Sequence, residues 1–60
     1  MTSKELKKLL QVSGCIMVRQ GKGSHEIWYS PHTNRTFAVP HPKNPIPIGT
    51  VKSIKRQAGI

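Results

Sequence analysis

The stretch CIMVRQGKGSHEIWYS, residues 15–30, decides the fold of this chain. Residues 15–20 begin with four apolar side chains, and residues 25–30 contain aromatic and β-branched side chains, so each segment is predicted to form a strand. Between them, Gly21-Lys22-Gly23 has the composition of a tight connection. The stretch therefore predicts two adjacent antiparallel strands joined by a short loop.

The residues that follow predict a third strand. Residues 30–35 have the composition of a turn, because they combine serine, proline, threonine and asparagine. Residues 36–39 form a short strand segment that Pro40 ends. The order predicts a three-stranded antiparallel meander. Residues 40–47 contain four prolines and predict an extended, stiff connector.

A short helix is predicted before the sheet. Thr2 and Glu5 have the three-residue spacing of a capping box, in which each side chain binds the other residue's backbone N–H. Leucines at positions 6, 9 and 10 recur at helical spacing, and Gly14 is a typical helix stop. A helix of about ten residues is unstable in isolation, so its leucine face is expected to pack on the rest of the chain.

A second helix is predicted after the connector, starting near residues 49–50. Val51, Ile54 and Ala58 lie on one side of it, and Gly59 is expected to end it. The predicted order is α-β-β-β-α. This order indicates an α+β fold in which both helices cover one face of a three-stranded antiparallel sheet, with residues 1–60 forming a single domain.

The charge of the chain indicates a polyanionic partner. Ten Lys and Arg residues against two acidic residues give a formal net charge of +8, and nucleic acid is the usual partner of so basic a surface. A basic soluble domain without such a partner is the alternative. The longest apolar run, residues 15–18, is too short for a membrane span or a secretory signal. A lone cysteine fits a reducing compartment, so a cytoplasmic location is expected.

Each predicted helix carries a set of three cations opposite its apolar side. Lys52, Lys55 and Arg56 share one arc of the second helix, where phosphate contact is favoured over an ordinary solvated surface. The N–H groups at the start of that helix form a further anion site. Lys4, Lys7 and Lys8 form a comparable set on the first helix, for which a solvated surface is the favoured interpretation.

His25 is the first candidate for chemistry. It follows Lys22, Gly23 and Ser24 at the start of a strand, where small residues let a phosphate approach the backbone closely. A neutral imidazole can take a proton from an RNA 2′-hydroxyl group and return one to a leaving oxygen. The alternative is a strand-end histidine bonded to a loop carbonyl. Glu26 is predicted to face the other side of the sheet, so it is a poor partner for His25.

Four other residues carry weaker expectations. His41 is a possible general acid or phosphate donor, although a plain loop histidine is favoured, and His32 is expected to be exposed and inert. Cys15 is expected in the core. Trp28 is expected in the core too, with a base-stacking or interface role as the alternative. The three histidines and one cysteine do not have the spacing of a zinc site, so no metal or other cofactor is predicted.

Three segments of the chain resemble the HicA toxin family. Lys22-Gly23-Ser24-His25 followed by the aromatic strand is similar to the family signature, and residues 47–59, PIGTVKSIKRQAG, resemble its terminal helix. The Val39-Pro40-His41 step fits as well, so the resemblance covers nearly the whole chain. It implies a fold like that of a double-stranded-RNA-binding domain. It also implies RNA cleavage without a known metal requirement, growth arrest that a HicB-type antitoxin relieves, and a catalytic role for His25.

The sequence and this resemblance together predict a cytoplasmic ribonuclease toxin of a type II toxin–antitoxin system that acts on messenger RNA. His25 is predicted to act as general base or acid, while Lys22 and the N–H groups of Gly23 and Ser24 stabilise the charge of the reacting phosphate. The RNA backbone is predicted to bind Lys52, Lys55 and Arg56.

Two rival functions differ from this prediction. An RNA-binding module without catalysis has the same fold, because fold does not fix function. A DNA-binding repressor subunit fits the charge, but strands separate the two helices, so no helix-turn-helix can form.

Overall fold

The computed structural model describes residues 1–40 and 45–60. The elements are α1 (Ser3–Val12), β1 (Ile16–Gln20), β2 (His25–Ser30), β3 (Arg35–Pro40) and α2 (Ile48–Ala58). The strands form one antiparallel sheet in the order β1-β2-β3. The predicted α+β fold, with its α-β-β-β-α order and three-stranded antiparallel sheet, is confirmed.

Helix α1 begins and ends as its sequence predicts. The Thr2 hydroxyl accepts a hydrogen bond from the Glu5 backbone N–H at 3.2 Å, and the Glu5 carboxylate accepts one from the Thr2 N–H at 2.8 Å. These bonds, the one from the Thr2 backbone foremost, hold the pKa of Glu5 below its ordinary value. After Ser13 as C-cap, Gly14 has a φ of 96°, a left-handed conformation that favours glycine.

The strands differ from their predicted bounds only at the ends. β1 begins at Ile16, because Cys15 turns into the core and is 3% exposed. β3 includes Arg35 and also Pro40, which is tolerated there because β3 is an edge strand. The apolar residues of the other edge strand, β1, are largely exposed, since every residue of Ile16–Gln20 is solvent-accessible.

A hydrophobic core lies between the helices and one face of the sheet. Alternation along β2 points Trp28 into this core, where it is 1% exposed, so its predicted core position is confirmed. Both helices contribute to the same cluster as β2 and β3, so both lie on one face of the sheet. The cluster consists of Leu6, Leu10, Cys15, Trp28, Phe37, Val39, Ile46, Val51, Ile54 and Ala58.

The last residue of β2 and the turn that follows it, residues 30–34, hold the C-terminal ends of both helices. The Thr33 hydroxyl donates to the Gln57 carbonyl oxygen at 2.6 Å, and the buried Ser30 hydroxyl donates to that of Ala58 at 2.6 Å. The His32 ring nitrogen Nε2 is hydrogen-bonded to the carbonyl oxygen of Ser13, just after α1. His32 is exposed, as expected, and this hydrogen bond gives it a structural contact that the sequence did not predict. We call this part of the molecule the turn end.

The opposite end of the molecule, the loop end, contains the starts of both helices. The Ile46 backbone N–H donates to the Met1 carbonyl oxygen at 2.7 Å and so joins the segments that lead into α1 and α2. β2 runs from His25 toward the turn end, so His25 and the preceding residues 21–24 lie at the loop end. The predicted connector at residues 40–47 lies partly outside the described residues.

Candidate catalytic loop and nucleic-acid interface

The loop between β1 and β2 is closed by backbone hydrogen bonds. The Gly21 N–H donates to the His25 carbonyl oxygen at 2.8 Å, and the His25 N–H donates to that of Lys22 at 3.3 Å. The Gln20 side-chain amide donates to the same His25 carbonyl oxygen at 3.0 Å. Gly23 has a φ of 64°, which an L side chain rarely adopts. These bonds fix the backbone of His25 relative to the loop.

The top of this loop is open and rich in donors. Lys22, Gly23 and Ser24 are all exposed, and the N–H groups of Gly23 and Ser24 make no hydrogen bond to residues 1–40 or 45–60. A Cβ placed on Gly23 would meet no atom within 4 Å. Successive N–H groups around a left-handed residue form an anion-binding concavity. The free N–H groups around Gly23 are thus arranged in a way that can accept an anion.

The side chain of His25 lies on the face of the sheet opposite the helices. His25, Ile27 and Tyr29 alternate along β2 with the buried residues Glu26 and Trp28. The imidazole is exposed and makes no hydrogen bond within the described residues, which disfavours the alternative of a histidine held by a loop carbonyl. An imidazole in this position is accessible to a substrate.

Glu26 has a structural role on the helix side of the sheet. It is 8% exposed, and its carboxylate accepts hydrogen bonds from Trp28 Nε1 at 3.1 Å and from Lys7 Nζ at 3.3 Å. It therefore faces away from His25, as predicted from strand alternation. The expectation that Lys7 points outward with Lys4 and Lys8 is wrong, because Lys7 reaches over the sheet to this carboxylate.

Arg19 is a candidate that the sequence analysis missed. β1 has a bulge between Met17 and Arg19, so Met17 pairs with Trp28 and Arg19 pairs with Ile27. Cross-strand partners share a face of the sheet, and Ile27 is on the same face as His25. The bulge therefore moves Arg19 onto the face of His25, as its diagonal neighbour. Simple alternation from Ile16 predicts the opposite face, and no residue in residues 16–20 signals the bulge.

The cations of α2 lie on the other side of the molecule from the open sheet face. Lys52 and Arg56 are exposed, whereas Lys55 is half-buried. Lys52 lies in the half of α2 nearer the loop end, and Arg56 in the last turn. Pro47 at the N-cap makes no side-chain hydrogen bond, which leaves the first N–H groups of α2 available to an anion.

The structure thus groups the predicted site residues in two sets. Residues 22–25 lie together on the loop, whereas the α2 cations lie on the helix layer. His41 lies outside the described residues. Among residues 1–40 and 45–60, no cluster of three His, Cys, Asp or Glu side chains could hold a metal ion. Neither helix in this part of the chain is long and apolar enough to cross a membrane.

Comparison with models of known protein families gives a match over nearly the whole chain. The family model described as the HicA toxin of bacterial toxin–antitoxin systems matches residues 3–60. In a search of curated proteins, no sequence matches the chain. The matched region includes both helices, all three strands and the loop that carries His25.

Proposed function

Because this chain belongs to the HicA toxin family of bacterial toxin–antitoxin systems, we propose that it is a ribonuclease toxin that cleaves messenger RNA. One observation supports the more specific proposal of RNA cleavage. The imidazole of His25 is exposed and unbonded within the described residues, beside a loop whose N–H groups are free to bind a phosphate. This pairing of a proton acceptor with an anion site is what phosphodiester cleavage requires.

The proposed reaction uses the 2′-hydroxyl group of the RNA as nucleophile. His25 takes the proton of that hydroxyl as the 2′-oxygen forms a bond to phosphorus. The bond between phosphorus and the 5′-oxygen then breaks, and the protonated imidazole returns its proton to the leaving oxygen. The products are a 2′,3′-cyclic phosphate and a 5′-hydroxyl group.

The surrounding residues supply charge. Lys22 and the N–H groups of Gly23 and Ser24 stabilise the negative charge that grows on the phosphate oxygens during attack. On the same face as His25, Arg19 attracts the adjoining phosphates. On the helix layer, further phosphates of the strand bind Lys52, Lys55 and Arg56. Because the chain has only two acidic residues, Glu5 and Glu26, few negative charges oppose the RNA.

Incubation of the wild-type protein with single-stranded RNA in the presence of EDTA tests this proposal. Cleavage is expected, with products that carry cyclic phosphate ends, and RNA of the same sequence with 2′-O-methyl groups is expected to remain intact because it lacks the nucleophile. Binding of the RNA without cleavage would contradict the proposal and would favour a non-catalytic RNA-binding module. Cleavage of the methylated strand would contradict the proposed chemistry.

A HicB-type antitoxin is the proposed inhibitory partner. Toxin families of this kind act with an antitoxin, and a net charge of +8 favours an acidic surface on it. Covering the loop end would exclude RNA from His25. Bound antitoxin is therefore expected to protect RNA from the wild-type protein. The His25→Ala variant is expected to bind the cognate antitoxin about as tightly as wild type, because the substitution removes one side chain of the covered surface. Failure of the bound antitoxin to protect RNA would contradict inhibition by coverage.

A further inference from the structure

An apolar groove lies on the helix side of the loop end, beside the start of α2. Its volume is about 360 Å³, and it is lined by Met1, Ile46, Ile48, Val51, Lys52 and Lys55. Ile48 is 75% exposed and Met1 45% exposed, so the apolar walls are open to solvent. The hydrogen bond between the backbones of Ile46 and Met1 joins two of these walls.

The lining indicates a ligand with an apolar body and an anionic edge. The walls are aliphatic, and among the described lining residues Lys52 and Lys55 bring side-chain ammonium groups to the groove. A nucleotide within a single strand has this chemistry, because its base has apolar faces and phosphates adjoin it on both sides. The volume falls within the range of small-ligand pockets. A second copy of the chain is a poor occupant, since each copy carries a charge of +8.

We propose that this groove is a subsite for one unpaired base of the RNA, with Lys52 and Lys55 on the phosphates beside that base. The inference rests on the proposed function and extends it to substrate selection. In a duplex the bases are stacked and paired, so they cannot enter a groove of this kind. The subsite therefore makes single-stranded RNA the preferred substrate. The bound strand then crosses the loop end, from the groove beside α2 toward the loop that carries His25.

Equilibrium binding in the His25→Ala background tests the subsite without cleavage of the probe. The two probes are a labelled single-stranded RNA and an oligomer of the same length and charge whose sugars carry no bases. Ile48→Ser is expected to weaken RNA binding about fivefold, since it removes a partly buried aliphatic contact with the base, and to leave the abasic oligomer unaffected. Ile48→Phe is expected to tighten RNA binding alone, because it offers a ring for stacking.

Ile16→Ser is the matched control, because Ile16 is another exposed isoleucine, 58% accessible, but lies on β1 near the turn end. It is expected to change neither affinity. The inference would be overturned if Ile48→Ser weakened the binding of both probes equally, or if it did not change RNA binding. An unchanged RNA affinity is also the result expected if the groove receives an antitoxin side chain instead of a base. Failure of the proposed function is a separate outcome, seen as intact RNA after incubation with the wild-type protein.

Discussion

Replacing Lys7 by alanine removes a cation from the buried carboxylate of Glu26. The Lys7 ammonium lies 3.3 Å from that carboxylate, and the two side chains are 23% and 11% exposed. Exposed ion pairs contribute about 0–1 kcal/mol, whereas breaking a buried pair costs about 3–5 kcal/mol. This pair lies between those limits, so Lys7→Ala is expected to lower the free energy of unfolding by about 2 kcal/mol.

Lys8→Ala is the matched control for this prediction. It makes the same change of charge and of side chain one position further along α1, at an exposed residue, and is expected to alter stability by less than about 0.5 kcal/mol. Neither substitution costs helix propensity, because alanine is the best helix former. In a domain of this size, about 2 kcal/mol corresponds to a fall in Tm of roughly 8–16 °C.

The fluorescence of Trp28 during thermal or urea unfolding measures the effect. Trp28 is the single tryptophan of the chain, is buried, and donates a hydrogen bond to Glu26. Glu26→Gln retains an acceptor for Trp28, so a double-mutant cycle with Lys7→Ala isolates the ion pair from that bond. Equal stability of the Lys7→Ala and Lys8→Ala variants would refute the reasoning, because Lys7 would then contribute no more to stability than a solvent-exposed lysine.

Four further substitutions have expected outcomes that unfolding measurements can check. Ser30→Ala removes the hydroxyl that donates to the Ala58 carbonyl oxygen and is expected to cost about 1–3 kcal/mol; an unchanged Tm would contradict this. Gly21→Ala places a Cβ 3.0 Å from a backbone oxygen and should destabilise the loop, whereas Gly49→Ala meets no atom within 4 Å and should stabilise the protein by about 0.5–1 kcal/mol. Glu5→Ala is expected to lower stability at neutral pH. Because the pKa of Glu5 is lowered in the folded state, its contribution exists above the unfolded-state pKa and disappears as pH falls through the folded-state pKa; a stability difference that persists at low pH would argue against the cap.

Most of the fold follows from local signals in the sequence. The capping box of Thr2, the left-handed glycines after each helix and the alternation along β2 each act over a few residues, so a single sequence can reveal them. The core positions of Leu6 and Trp28 follow from the same periodicities. These features were predicted because their physical causes are short-range.

The features that the sequence did not predict depend on contacts between distant segments. Lys7 looked like one of three exposed cations, and only the packing of α1 over β2 shows that it reaches Glu26. Arg19 joins the face of His25 through a bulge, which depends on the register between two strands. The hydrogen bond of His32 was not predicted because its acceptor, the carbonyl oxygen of residue 13, is distant in sequence. Residue type and spacing within one segment do not indicate which residue of a distant segment a side chain will contact.

The rate of RNA cleavage by the His25→Ala variant tests the central claim most directly. His32→Gln is the control, because it removes another imidazole but keeps an amide donor for the Ser13 carbonyl oxygen, and Trp28 fluorescence confirms that both variants are folded. Loss of a general acid–base group reduces rates by about 10²–10⁴-fold, so His25→Ala is expected to lose at least about 100-fold while His32→Gln cleaves at nearly the wild-type rate. A folded His25→Ala variant that cleaves RNA within a few fold of wild type would contradict the account.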